Sequence, residues 1–440
     1  MFLKNIRINY WAGSTLRLQL LIWLLAAIFY SGVSKAAIAE EQNNKNGITL
    51  YEALSMALDF HPSISATKLQ YQSAAGDLNS ARWLALPDAS FIYRGFEDDG
   101  EEEILDQEIL TVSQPLWTGG RVSGNISFAR ANRDIAKLAI VEAEQKLLEE
   151  TLRAFTELRQ AEANRNISLG NVEEHERLFK IIERRVKAST SPEVDLRLAR
   201  ARLAFSRSQF LQSKNTLEIS RANLAQLIGQ PVKKAAPFQA ANVEKGSIED
   251  AVKRAVSFSP RIRKMRTEIS GLEAMEKVAR SALYPQVSIG YEKNYGEVLS
   301  NRDDEKVFLG LDFQPGAGLS AFSSISSSKA KKLALRDNLK ALELEVRQEV
   351  EVVWRSVSSA EMQLSPTRQF VNSTEEVVNS YLRQYRVGKK SWLDVLNAQR
   401  ELVQARRAQV EQESKLSMSF YKMQILIGDL DRKTVMNRND

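Results

Sequence analysis

Side chains able to do covalent or metal chemistry are scarce in this chain. Of its 440 residues none is cysteine and two are histidine. That excludes a disulfide framework, a thiol nucleophile and a cysteine-bound metal. His61 precedes Pro62 at a helix break and His175 stands in a charged helical stretch, neither with a partner at metal-ligand spacing, so both read as structural or solvated residues. The net charge of +6 is spread along helices that also carry many acidic residues. This pattern is a salt-bridge-laced helix surface and not a nucleic-acid footprint. No catalytic residue, metal site or cofactor is expected, and no enzyme. Two carboxylates stand out by position: Asp195 and Asp394 lie 199 residues apart, each just after a predicted turn. A carboxylate there starts a helix by N-capping or by offsetting the helix dipole.

That spacing belongs to a longer pattern. Leu50, Ala53, Leu54, Phe60 and Pro62 recur as Ile248, Ala251, Val252, Phe258 and Pro260, and Ala81, Pro87 and Tyr93 recur as Ala279, Pro285 and Tyr291, all 198 residues on. Gln114-Pro115 returns as Gln314-Pro315 at 200, and Ala199, Ile228 and Gly229 return as Ala398, Ile427 and Gly428 at 199. A unit of about 200 residues is too long for a solenoid repeat and reads as a duplicated, domain-sized half. The expected divisions are a leader over 1–39, a first repeat over 40–229, a linker over 230–246, a second repeat over 247–428 and a tail over 429–440.

Each half predicts the same order: helix, helix, strand, strand, very long helix, turn, helix. The first hairpin is expected at about 88–117 and the second at about 286–314. Val287, Ile289 and Tyr291 alternate with Ser288, Gly290 and Glu292, and Val307, Leu309, Leu311 and Phe313 alternate with Phe308, Gly310 and Asp312. Strands of this length, apolar on one side and small or polar on the other, suit a membrane-spanning β-barrel. A half-buried hairpin on a soluble sheet has the same periodicity. From Gly120 to about Lys187 there is no proline, and from about Leu319 to Val387 the sole proline is Pro366. Each stretch predicts a helix on the order of 100 Å long. Leu335, Leu339, Leu342, Val346, Val350, Val353, Val357 and Ala360 trace a narrow coiled-coil seam, and Leu196, Leu203, Phe210, Leu217 and Leu224 stand seven apart. Narrow seams with wide polar flanks suit the wall of a water-filled tube.

At the N-terminus, Lys4, Arg7 and Arg17 accompany an apolar stretch from Leu18 to Val33, and Ala37-Ile38-Ala39 follows. These features read as a cleaved export signal, since a spanning helix needs roughly 20 apolar residues. Without cysteine, a lipidated N-terminal cysteine is not expected either.

With the duplication in place, two runs carry a resemblance: Gln114-Pro115-Leu116-Trp117-Thr118-Gly119-Gly120-Arg121, and Tyr385-Arg386-Val387-Gly388-Lys389-Lys390-Ser391-Trp392-Leu393-Asp394-Val395-Leu396-Asn397-Ala398. Over essentially the whole mature length the chain resembles the TolC-like outer-membrane efflux and secretion channels. The resemblance implies a fold that is mainly α with a transmembrane β-barrel. Three copies of the internally duplicated protomer would close a twelve-stranded barrel in the outer membrane, continued across the periplasm by a long α-helical barrel. It implies as partners two further copies, a periplasmic adaptor, an inner-membrane ABC or proton-driven transporter, and outer-membrane lipid. Asp195 and Asp394 would then crowd six carboxylates around a narrow periplasmic gate, a ring that selects or binds cations. Tyr385, Lys390 and Asn397 sit where family members hold gate bonds or polar lining groups. Asn397 replaces an acid seen in some members. Gly388 and Trp392 mark the expected exposed tip, where the aromatic either anchors a partner or packs between helices. Phe91, Tyr93, Phe96, Trp117, Tyr291, Tyr295 and Phe313 are candidates for the aromatic girdle.

The implied role is a passive exit duct, for protein secretion with an ABC exporter (type I secretion) or for small-molecule efflux with a proton-driven pump. The run Gln314-Pro315-Gly316-Ala317-Gly318-Leu319-Ser320 resembles channels that secrete large surface adhesins. A periplasmic coiled-coil scaffold is the third possibility.

Overall fold

The computed structural model describes residues 47–97, 104–238, 246–295, 305–316 and 320–437. The predicted leader, the acidic hairpin loop at 98–103 and residues 317–319 lie outside them. In the first half the elements are α1 (Leu50–Phe60), α2 (Pro62–Trp83), β1 (Asp88–Glu97), β2 (Ile104–Trp117), α3 (Arg121–Lys187) and α4 (Glu193–Ile228). The second half gives α5 (Ile248–Phe258), α6 (Pro260–Ser281), β3 (Gln286–Tyr295), β4 (Glu305–Asp312), α7 (Ser320–Arg386), α8 (Trp392–Ile427) and a short α9 (Arg432–Asn437). The duplication extends to helix length: α1 and α5 have 11 residues, α2 and α6 have 22, α3 and α7 have 67, α4 and α8 have 36. Both 22-residue helices start on a proline, whose missing N–H would have no helical partner there. α7 runs unbroken through Pro366.

The chain divides into two compact units. The first holds residues 154–226 and 230–238 with the chain from 47 to 53. Its buried side chains include Phe155, Leu158, Leu178 and Ile182 of α3, and Ala199, Leu203, Leu217 and Leu224 of α4. Part of the expected linker is docked here. Ile48 donates its N–H to the Lys234 carbonyl at 3.0 Å, the Ala236 N–H donates to the Ile48 carbonyl at 2.7 Å, and the Ala235 N–H donates to Glu162 Oε1 at 3.2 Å.

The second unit holds the sheet and the helices around it. β1 to β4 form one antiparallel sheet in the order β1-β2-β3-β4, so β1 and β4 are its edges. The seam read from sequence is buried from Leu342 to Ala360, and its first half meets Ala251, Val252 and Ala255 of α5, Ile262 of α6, and Met423 and Leu426 of α8 in one core. Both halves close the same way. Gly229 and Gly428 each follow a helix at positive φ, and a Cβ on either would fall 2.5 Å from the ring of Phe60 or Phe258. The expected tail is not loose: in α9 Val435 is fully buried and Arg432 pairs with Asp59 and Glu144.

Candidate functional site

The two turns that carry the candidate gate residues share a backbone and differ in residue type. At the second, the Lys389 N–H donates to the Gln384 carbonyl at 2.9 Å and the Gly388 N–H to the Tyr385 carbonyl at 3.1 Å. This closes α7 with Gly388 at φ +75°. Ser391 then caps α8. Its Oγ accepts from the Asp394 N–H at 3.2 Å, while its own N–H and hydroxyl donate to Asp394 Oδ2 at 3.0 and 2.8 Å. The Ser391 hydroxyl, then its N–H, hold the Asp394 carboxyl below its ordinary value. At the first turn the Thr190 N–H donates to the Arg185 carbonyl at 2.8 Å and the Ser189 N–H to the Val186 carbonyl at 2.9 Å. Ser189 takes the left-handed place, at φ 59°. The Ser191 hydroxyl donates to Asp195 Oδ2 at 2.8 Å. Pro192 and the lack of a glycine therefore change the residues of this turn and not its closing bonds.

Of the two readings left open for Trp392, a partner anchor or packing between helices, the geometry matches the second: it is buried at 5 % exposure, with its ring centroid 5.7 Å from that of Tyr385, which is also buried. It occupies the first position of α8, where the turn folds it back onto α7. Lys390 is engaged within its own chain, its Nζ 4.4 Å from the centre of the Tyr381 ring. Asn397 and Gly388 are exposed. The large apolar side chains exposed at the tips are Val387 at 69 %, Leu393 at 54 % and Val194 at 64 %. Val194 and Leu393 are repeat equivalents that each precede a candidate aspartate, which is the signal that could have singled them out.

The sheet has two unlike faces, and the strand register assigns them. Tyr93, Glu108 and Tyr295 share a rung, as do Phe91, Leu110, Lys293 and Glu305. Val112, Tyr291 and Val307 form the next, then Gln114, Ile289 and Leu309. A shift at Pro115/Trp117 brings Trp117 opposite Val287, which pairs with Leu311. This face is apolar at its centre, with Leu309 71 % exposed. Tyr93 and Tyr295 lie at its loop end, Trp117 at its helix end with Phe313 just past β4, and Phe91 and Tyr291 between. From Tyr295 to Val287 the strand covers about 27 Å. The opposite face carries Ser90, Thr111, Glu292 and Lys306 in one rung, with Lys306 Nζ 2.7 Å from Glu292 Oε1. There Phe308 lies over Gly290, where any Cβ would meet its ring at 2.3 Å. Among the described residues no cluster of His, Cys, Asp or Glu could hold a metal ion, and no helix is long and apolar enough to cross a membrane.

The family model for Outer membrane efflux protein matches residues 53–230 and again 251–428. The chain belongs to the outer membrane efflux protein family. It is 23 % identical over 369 residues to the cobalt-zinc-cadmium resistance protein CzcC of Cupriavidus metallidurans, covering 82 % of this chain and 85 % of that one. To the outer membrane efflux protein BepC of Brucella suis it is 20 % identical, over 71 % and 70 % of the two chains. The solved outer membrane protein VceC of Vibrio cholerae superposes with a TM-score of 0.73 at 18 % identity, over 86 % of this chain and 96 % of that one. This efflux protein is therefore an outer-membrane channel reaching into the periplasm of a Gram-negative cell, and not an enzyme.

Proposed function

We propose that three copies close a twelve-stranded barrel, four strands from each, and that the helices continue it as a passive exit duct. The observation that carries this reading is the sheet itself: an apolar face with two unpaired edges, β1 and β4. An open edge in lipid leaves backbone N–H and C=O groups unsatisfied at several kcal/mol each, whereas closure satisfies them. The meander also sets β4 antiparallel to an incoming β1, so ring closure needs no change of pattern. The duct works with an inner-membrane transporter and a periplasmic adaptor. At its narrow end Asp195 and Asp394 of each copy form the cation-binding gate. Tyr385, Lys390 and Asn397 line or brace it, and the tip around Gly388 receives the adaptor.

For the cargo, we infer protein export with an ABC transporter, supported by the resemblance of the Gln314–Ser320 run to channels that secrete large adhesins. The second reading is small-solute efflux, favoured by the resistance and efflux names of CzcC and BepC. Deleting the gene and measuring both the secreted proteins and the tolerance to cobalt, zinc, cadmium and drugs separates them. Loss of a secreted protein with unchanged tolerance is expected. Lost tolerance with an unchanged set of secreted proteins overturns protein export in favour of efflux.

A further inference from the structure

We propose that copies join head to tail through one helix seam: Ser73, Gly76 and Ser80 of α2 on one copy seat against Ser323, Ser327 and Ala330 of α7 on the next. The proposal rests on the ring assembly above and gives its contact register.

The chain carries its own template for this seam, where α6 packs on α3. A Cβ at Gly271 would lie 3.3 Å from Ala131 Cβ and 3.6 Å from the Phe128 ring. A Cβ at Gly124 would lie 2.6 Å from Val278 Cγ2 and 3.1 Å from the Ala274 carbonyl oxygen. Equal helix lengths translate these contacts between repeats. α2 maps onto α6 at an offset of 198, and α3 onto α7 at 199. Gly271, Ala274 and Val278 therefore correspond to Ser73, Gly76 and Ser80, and Gly124, Phe128 and Ala131 to Ser323, Ser327 and Ala330.

Two observations support a second copy as the occupant of the translated face. In the template Gly271, Ala274, Gly124 and Ala131 are all buried, while their counterparts Ser73, Gly76, Ser323 and Ala330 are all exposed. Side-chain sizes also compensate across the seam, as close packing requires. Val278 against Gly124 becomes Ser80 against Ser323, and Phe128 against Gly271 becomes Ser327 against Ser73. The Lys264–Glu142 ion pair, 3.0 Å in the template, becomes Ala66 against Ala341, so no charge is left buried.

Chain continuity supplies a further reason. α2 leads into β1 and β4 leads towards α7, and β1 and β4 are the sheet edges. A neighbour that pairs its β4 with this β1 brings its α7 to this α2. The contact joins two different surfaces, so it repeats head to tail from copy to copy, as the ring proposed above requires.

A chain without cysteine makes the test direct. Ser73→Cys with Ala330→Cys is introduced into the full chain and oxidised in isolated outer membranes. The template's 3.3 Å between Cβ positions is close to the disulfide range of about 3.5–4.5 Å. Reductant-sensitive dimers and trimers in denaturing gels are expected, absent from either single variant. Ser80→Cys with Ser323→Cys samples the same register at a second contact and should behave alike. Ser80→Cys with Ala330→Cys, displaced by about 10 Å along the helix, should cross-link roughly tenfold more slowly or worse. Faster linking of the displaced pair, or no linking of either matched pair in protein whose native mass in detergent is a closed multimer, overturns the register and leaves the ring standing. A monomeric native mass overturns the ring as well.

Discussion

Ser189 and Gly388 occupy the same left-handed position of equivalent turns, at φ 59° and φ +75°. Only the serine carries a Cβ, which costs roughly 1–2 kcal/mol in that region. Ser189→Gly should therefore stabilise the first turn by about 1 kcal/mol and raise amide protection across 185–191 about fivefold. Unchanged protection would mean that the serine is not strained there. At the second turn, Ser391→Ala should cost about 1 kcal/mol at the start of α8 by removing an N-cap. The pH dependence follows from Asp394, whose folded value lies below the ordinary 3.8. A carboxyl lowered on folding adds stability that is fully present above its unfolded value and is lost as pH falls through its folded value. Protection of the first α8 turn should fall below about pH 3.8 in the native protein and show no such fall in Asp394→Asn. The equivalent places of Asp195 and Asp394 after the two turns were legible in the sequence because their spacing matched the repeat. The choice between the two readings of Trp392 was not, because its burial depends on a turn that folds the ring onto Tyr385, and spacing along the chain does not report that contact.

At the scale of the elements, periodicity was the most informative signal. The 4-3 seam from Leu342 to Ala360 places buried side chains where the structure has them, and the seven-residue spacing in α4 does so at Leu203, Leu217 and Leu224, with Leu196 and Phe210 half-buried. Strand alternation likewise separates Val307, Leu309 and Leu311 from Phe308 and Gly310. α9 escaped detection because six residues are too few to show a period. The docked stretch around Ala235 escaped because backbone bonds to Ile48 and Glu162 hold it, and these leave no mark on side-chain pattern. The apolar face gives a prediction of its own. Leu309→Arg should destabilise the inserted protein by about 2–4 kcal/mol if the site lies near the bilayer midplane, read as reduced yield of the outer-membrane multimer. A substitution to Arg at Ser288, on the opposite face, should leave that yield unchanged. Equal yields for both variants would remove the assignment of lipid and lumen faces.

For the whole molecule, duplication sets the architecture. One chain supplies two hairpins and two long coiled pairs, and in the proposed seam the α2 and α7 stripes let further copies continue the pattern begun within it. In the proposed function the duct stays closed until its partners dock, and the paired aspartates of the proposed gate are its means. The most direct measurement is planar-bilayer conductance of the purified protein beside the double variant Asp195→Asn, Asp394→Asn. Asparagine keeps an oxygen able to accept the capping bonds while removing the charge. Small, cation-selective currents blocked by divalent cations are predicted for the native protein, with larger, less selective and unblocked currents in the variant. Native currents without cation preference, unchanged in the variant, would contradict the gate, and a folded multimer that conducts in neither form would contradict the duct.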